Sequence, residues 1–234
     1  MSVRGHEIKE RPIMGCSGGS CSSCSSCSTG DGRDDNELPP GMLDRYDLDQ
    51  STADGALVWL EVLRCPDGPR IADASMQVLG EVCRINGGRT FAVIFGGADL
   101  KPLYPQIFGQ GVGTIYHVRD PDSECYDSNT YSITICDIID RVSPAVVALG
   151  ASERGNQLGE KIASMLGVEL NPDCTSIKMD GRMLSTEPAP LGQFLMANRK
   201  KFPQVATVRL DSYPTPEIIE GQGTAIYWQS RKWM

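Results

Sequence analysis

Four cysteines, Cys16, Cys21, Cys24 and Cys27, fall within twelve positions of the stretch "GCSGGSCSSCSSCSTG" (15–30). The residues between and around them are glycine, serine and threonine. No apolar side chain is present from which a core could be built. The spacing is C-x4-C-x2-C-x2-C. Four thiolates on a backbone of such small residues can wrap a metal centre, because the chain can bend back on itself. Metal binding would then supply the folding free energy that the segment lacks. Three kinds of chemistry fit: a [4Fe–4S] cluster on all four thiolates, a Zn2+ ion on the same set, or a Cys/Ser-rich tail that binds nothing or scavenges metal. Structural zinc usually joins two well-separated ligand pairs and so ties distant parts of a chain together. Adjacent ligands would organise only one loop. The expectation adopted is therefore a [4Fe–4S] cluster on Cys16, Cys21, Cys24 and Cys27.

The C-x2-C-x2-C portion resembles the centre of the bacterial ferredoxin run, without its third spacer and Cys-Pro ending. The other five of the nine cysteines are Cys65, Cys83, Cys125, Cys136 and Cys174. Cys83 and Cys136 lie in apolar-periodic stretches and read as small core residues. An odd total, with no apolar h-region in "MSVRGHEIKERPIMG", points to a reducing, cytoplasmic setting and away from a disulfide framework. Only two histidines occur, His6 in the N-terminal stretch and His117 in "TIYHVRD". Neither pairs by spacing with a nucleophile, so no catalytic constellation is assigned. Glu153 and Arg154 read as a solvated or interface helix start.

The net charge of −8, without a basic run, argues against a nucleic-acid partner. The longest apolar runs, such as "AVVALGA", are strand length, far short of the ~20 residues of a membrane span.

The elements that must carry these residues divide the chain in three. Residues 1–55 are a Cys-rich extension and a solvated linker, rich in Gly, Ser, Asp and Pro. Residues 56–213 form an α/β domain and 214–234 a terminal arm. Strands are expected at 56–63, 89–96, 114–120 and 144–151. Helices are expected at 72–87, 98–111 (broken by two prolines), 127–143 and 153–167. This alternation predicts a Rossmann-like parallel sheet with helices on both faces. After Gly167, "DCTSIKMDGRMLSTEPAP" predicts a C-terminal antiparallel hairpin about Asp180-Gly181. "FLMAN" and "QVATVRL" add two strands. Tyr227, Trp228 and Trp233 on the polar arm suggest packing against a neighbouring chain.

Neither G-x-G-x-x-G after the first strand nor a P-loop is present. The strand–glycine–helix junction "LGASERGNQLG" (149–159) is either an anion-binding helix N-terminus or a turn with Ser152 as its cap.

Residues 56–213 resemble the N-terminal domain of the electron transfer flavoprotein α subunit. The landmarks are the opening strand "ALVWLEVL", the ordered run "VVALGASERGNQLGEKIASMLGVELNPDCTSI" (146–177) and the strand "QVATVR" (204–209). The sequence departs from the family at Glu187-Pro188, where the family has Arg-Pro, at Gly192-Gln193 for Gly-Asn, and at "VRLDS" (208–212) for Val-Arg-Pro-Gly. The resemblance implies a non-catalytic electron-transfer subunit that docks a β-like partner through 186–234. In this family the flavin-contacting second domain follows the matched region, and the chain ends about twenty residues past that junction. FAD is accordingly expected on partner chains, either the β-like subunit or a chain supplying the flavin domain, with a dehydrogenase as a further partner. The alternative is a non-redox docking scaffold. The family's N-terminal domain acts mainly as a docking scaffold without its own nucleotide, which favours the capped-turn reading of 149–159.

Overall fold

The computed structural model describes residues 52–119, 126–188, 195–196 and 201–229. Cys16, Cys21, Cys24 and Cys27 lie outside the described residues.

Alternating apolar side chains make the first strand, β1 (Ala56–Trp59), two-faced. Ala56 and Val58 join one buried cluster, and Leu57 and Trp59 join the other. The remaining strands are β2 (Val62–Cys65), β3 (Gly68–Ile71), β4 (Thr90–Phe95), β5 (Thr114–Val118), β6 (Val146–Gly150), β7 (Leu170–Asp180), β8 (Met183–Pro188), β9 (Leu195–Met196), β10 (Gln204–Val208) and β11 (Thr224–Trp228). The helices are α1 (Asp73–Ile85), α2 (Tyr104–Phe108), α3 (Ser128–Val142) and α4 (Glu153–Leu166). A 3-10 turn (Ala98–Leu103) precedes α2.

The main sheet runs β11-β5-β4-β1-β6-β10-β7-β8-β9. It is parallel from β11 to β7 and antiparallel from β7 to β9. The expected α/β class, with a parallel sheet and a C-terminal hairpin, is what the chain forms. Leu79 and Val82 of α1 pack with Ala56, Val58 and Ile94 on one face, and Ile135, Ile138, Leu158 and Ile162 of α3 and α4 pack with Leu57 and Val93 on the other. Asp127 caps α3 by accepting from Thr130 N at 2.7 Å, as the Asp-Ser-Asn start predicts. Among the described residues no helix is long and apolar enough to cross a membrane.

Three elements differ from expectation. The apolar run 56–63 is two strands. The backbone leaves the sheet at Leu60-Glu61, and Val62–Cys65 pairs antiparallel with Gly68–Ile71 across the Pro66-Asp67 turn. The helix expected over 98–111 is split into the 3-10 turn and a five-residue α2, with Pro102 inside the first and Pro105 near the start of the second. The terminal arm does not leave the domain at 224–228. β11 pairs in parallel with β5, from Thr224 opposite Thr114 to Trp228 opposite Val118, and so forms one edge of the chain's own sheet.

Candidate functional site

β1 is flanked by β4 on one side and β6 on the other. The chain goes from β1 through α1 to β4, and from β6 through α4 to the opposite half of the sheet. Between them lies the switch point of the topology, where crevices open at the carboxyl ends of parallel strands. A cavity of about 730 Å3 sits there. Trp59 at the end of β1, Phe95 at the end of β4, Tyr126 just before α3, Tyr131 in the first turns of α3, Glu61 after β1 and Arg154 in the first turn of α4 all line it.

Glu61 is held from several directions. Its backbone N–H donates to Ser75 Oγ at 3.0 Å, and its carbonyl accepts from Ala72 N at 2.8 Å. Ser152 Oγ donates to Glu61 Oε2 at 2.7 Å, and Arg154 Nη1 lies 3.7 Å from Glu61 Oε1. The same Ser152 Oγ accepts from Gly155 N at 3.0 Å, so Ser152 is the N-cap of α4. Segment 149–159 is thus a capped turn, with the chain's own carboxylate beside the helix N-terminus, where the helix dipole favours negative charge. Gly155 is required by close approach, since a Cβ there would lie 1.9 Å from Gly150 O.

The aromatic wall is continuous. Phe95 and Tyr131 stack with centroids 3.8 Å apart and planes 10° apart, and Tyr126 meets Tyr131 edge-on at 5.1 Å. The Arg154 guanidinium lies 5.0 Å over the Tyr126 ring. The Tyr126 hydroxyl is within 3.1 Å of both Arg154 O and Gln157 Oε1, and burial pushes its pKa up to about 12. Trp59 is 2% exposed, and among the described residues its indole N–H meets no acceptor. At the far side Arg64 pairs with Asp99. Glu153 plays no part in this set. Arg154, expected at a solvated helix start, is half exposed and paired with Glu61.

His117 is a satisfied core residue, not a base. It is fully buried, and Nε2 donates to Gly96 O at 2.9 Å. That leaves Nδ1 to accept from Tyr104 Oη at 2.5 Å. Burial lowers its pKa, which keeps the ring neutral. Cys136 is fully buried and its thiol is pushed up in pKa by burial; Cys83 is raised to about 11 for the same reason. Both act as the small core residues their periodicity implies. Among the described residues no group of three or more His, Cys, Asp or Glu is placed to hold a metal ion.

Sequence reasoning missed the Glu61–Ser152 contact and the aromatic wall. Glu61 and Ser152 are 91 positions apart, and only the β1–β6 pairing brings them together. The available signal was the end of an apolar strand meeting an acidic residue.

Comparison with known proteins fits this architecture. Residues 67–230 match the family described as "Electron transfer flavoprotein domain". The electron transfer flavoprotein subunit alpha of Megasphaera elsdenii is 32% identical over 159 residues, which is 63% of this chain and 46% of that protein. Protein FixB of Clostridium saccharobutylicum is 29% identical over 142 residues, covering 58% of this chain and 42% of its own length. The acryloyl-CoA reductase electron transfer subunit beta of Anaerotignum propionicum is 26% identical over 93 residues, or 40% of this chain and 25% of that protein. The chain spans less than half the length of these relatives. With the family match extending over 67–230 and the sheet order, hairpin and capped α4 in place, the chain belongs to the electron transfer flavoprotein domain family.

Proposed function

We propose that the chain is an electron-transfer subunit of a flavoprotein complex, carrying a [4Fe–4S] cluster on Cys16, Cys21, Cys24 and Cys27 and docking a β-like flavin partner. The family match over 67–230 carries the electron-transfer half of this reading. The relatives' printed names support it, since they are electron transfer subunits. The cysteine spacing carries the cluster. The donor chemistry agrees: burial holds the thiols of Cys83, Cys136 and Cys174 well above their usual range, which disfavours the thiolates a metal needs. The N-terminal four sit among small polar residues instead. A bound cluster would supply one-electron transfer, and the protein's part is to hold it and to dock the partner. Leu210, Ile218, Ile219, Ile226 and Tyr227 are exposed apolar side chains in the region expected to dock. FAD is placed on partner chains, the β-like subunit or a chain supplying a flavin domain, with a dehydrogenase as a further partner.

Anaerobic purification with iron and sulfide quantitation tests the cluster. About four irons per chain and a visible band near 400 nm are expected. Full cluster occupancy after Cys→Ser change at all four positions would sink the assignment. The partner-free chain should also release much less than one FAD on denaturation. The second reading is a non-redox docking scaffold, favoured by the chain's own carboxylate standing at the α4 N-terminus. It predicts neither iron nor a visible band, with partner binding intact.

A further inference from the structure

We propose, resting on the partner docking put forward above, that the outer edge of β11 takes an added strand from a partner chain in which acidic side chains alternate with aliphatic ones. Among the described residues β11 ends the sheet, and its sequence TAIYW holds neither a charge nor a proline. Edge strands that are kept from pairing usually carry such residues. The backbone pairing decides which groups are open. Thr224 N donates to Gly113 O, and Trp228 O accepts from Arg119 N, so both residues turn their backbone towards β5. The direction alternates with a period of two along a strand. Ile226 therefore also faces β5, and the N–H and C=O groups of Ala225 and Tyr227 point away from the sheet. Added strands are held by such groups, with alternate side chains supplying specificity.

The two faces of this edge differ in charge. Tyr227 is 49% exposed and lies beside His117 on the face that Tyr104 covers. Lys101 Nζ stands 5.8 Å and the Arg119 guanidinium 4.9 Å from its ring centre. Both cations are exposed, and among the described residues neither has a carboxylate within ion-pair distance. A side chain directly across from Tyr227 has its Cβ about 4.5–5.5 Å away, so a glutamate there reaches both cations. On the other face Ile226, opposite Tyr116, is 38% exposed, and an aliphatic side chain covers it. Glutamate alternating with valine matches both faces at once. A second copy of this chain does not. It offers an uncharged β11 in place of glutamate and brings its own Lys101 and Arg119 to the same edge.

Titration of the full chain with the end-blocked peptide Thr-Glu-Val-Glu-Val-Glu-Thr, followed by amide hydrogen exchange, tests this. Saturable binding with Kd below about 1 mM is expected. The amides of Ala225 and Tyr227 should exchange freely in the chain alone and slow by about tenfold or more at saturation, while that of Ile226 is protected throughout. Lysine in place of each glutamate should weaken binding by about tenfold or more. N-methylation of alternate peptide amides keeps the charges and blocks the ladder, and in one of its two phases it should weaken binding about as much. The Lys101→Glu, Arg119→Glu double variant should lose the acidic peptide and take the lysine one. Failure of the acidic peptide to saturate the chain, equal binding of the lysine peptide, or undiminished binding by the double variant or in both N-methylated phases would each overturn the proposal. So would protection of Ala225 and Tyr227 in the chain alone. Protection that grows with protein concentration would give the edge to a second copy, and protection independent of it to another segment of this chain. Neither iron nor flavin enters these readouts, so peptide binding by a chain that holds no iron would separate this edge from the cluster assignment.

Discussion

At the scale of single residues, the cysteines divide by environment. The thiols of Cys136 and Cys174 are buried and shifted upward in pKa, and so fill space without offering a thiolate. The four N-terminal thiols have only glycine, serine and threonine as sequence neighbours, and metal binding would give them a role. Cys24→Ser should therefore abolish the visible absorption of anaerobic protein while far-ultraviolet circular dichroism of the α/β domain stays unchanged. Loss of both would mean that the cysteine supports the fold. His117 makes a second prediction. Burial lowers its pKa, so the folded ring resists a proton that the unfolded chain accepts near pH 6.5. The stabilisation it gives is complete above that value. It is lost as the pH falls from there through the lower folded value, with a slope of at most about 1.4 kcal/mol per pH unit. Denaturant midpoints at pH 7.5 and pH 5.0 should therefore separate further in the parent protein than in His117→Gln. Equal separation would remove His117 as the source. The strand "TIYHVRD" read as carrying a satisfied core or surface histidine rather than a base; the structure decides for the core, and the partners were not legible. Tyr104 lies on α2 and Gly96 at the end of β4, and the sequence does not say that these converge.

At the scale of elements, α4 shows how a short segment serves both fold and site. Gly155 lets its first turn close onto β6, and Gly159 brings its middle to 3.0 Å from the Thr207 methyl of β10, measured from where a Cβ would stand. Gly155→Ala should cost about 1–3 kcal/mol or more, because the atom it meets is backbone and cannot rotate away. Ser152→Ala should cost about 1 kcal/mol from the lost cap, with an added part from leaving Glu61 Oε2 without its donor. Urea unfolding measures both, and a change below 0.3 kcal/mol in Gly155→Ala, an order-of-magnitude threshold for independent sites, would mean the helix shifts freely. The helices and parallel strands were legible because their apolar periods differ and their caps are explicit. The β2–β3 hairpin was not. "ALVWLEVL" is unbroken in hydropathy, and nothing local says that the backbone must leave the sheet at Glu61, where Ser75 and Ala72 of the α1 start capture it.

At the scale of the whole molecule, the sheet's two ends are built differently. One end turns antiparallel through β7, β8 and β9, while the other is closed by β11 lying parallel on β5. The second closure was hidden from sequence. "TAIYW" is a short apolar island in a polar stretch, and its partner strand lies about 110 residues earlier, so only the completed sheet shows a vacant edge for it to cover. The consequences are opposite for an arm that serves a partner and one that serves its own domain. Trp228 packs edge-on against Tyr116 at 5.9 Å, Arg119 N donates to Trp228 O at 3.0 Å, and Gly223 sits against Phe108. Removing residues 222–234 strips these contacts and the β5 pairing, and Trp228→Ala removes the ring alone. Truncation should lower the unfolding free energy of the isolated chain by about 3 kcal/mol or more, and Trp228→Ala by about 2–3 kcal/mol, below the fully buried range because the ring is only half-buried. Ile226 and Tyr227 remain 38% and 49% exposed on the same strand, so the edge can still present apolar surface to a docked subunit. An Ile226→Asp, Tyr227→Asp double variant should then weaken partner binding at least tenfold while moving stability far less than the truncation does. If truncation instead leaves the monomer's unfolding within 1 kcal/mol, an order-of-magnitude bound for surface changes, and abolishes the complex, β11 belongs to the interface and not to the sheet.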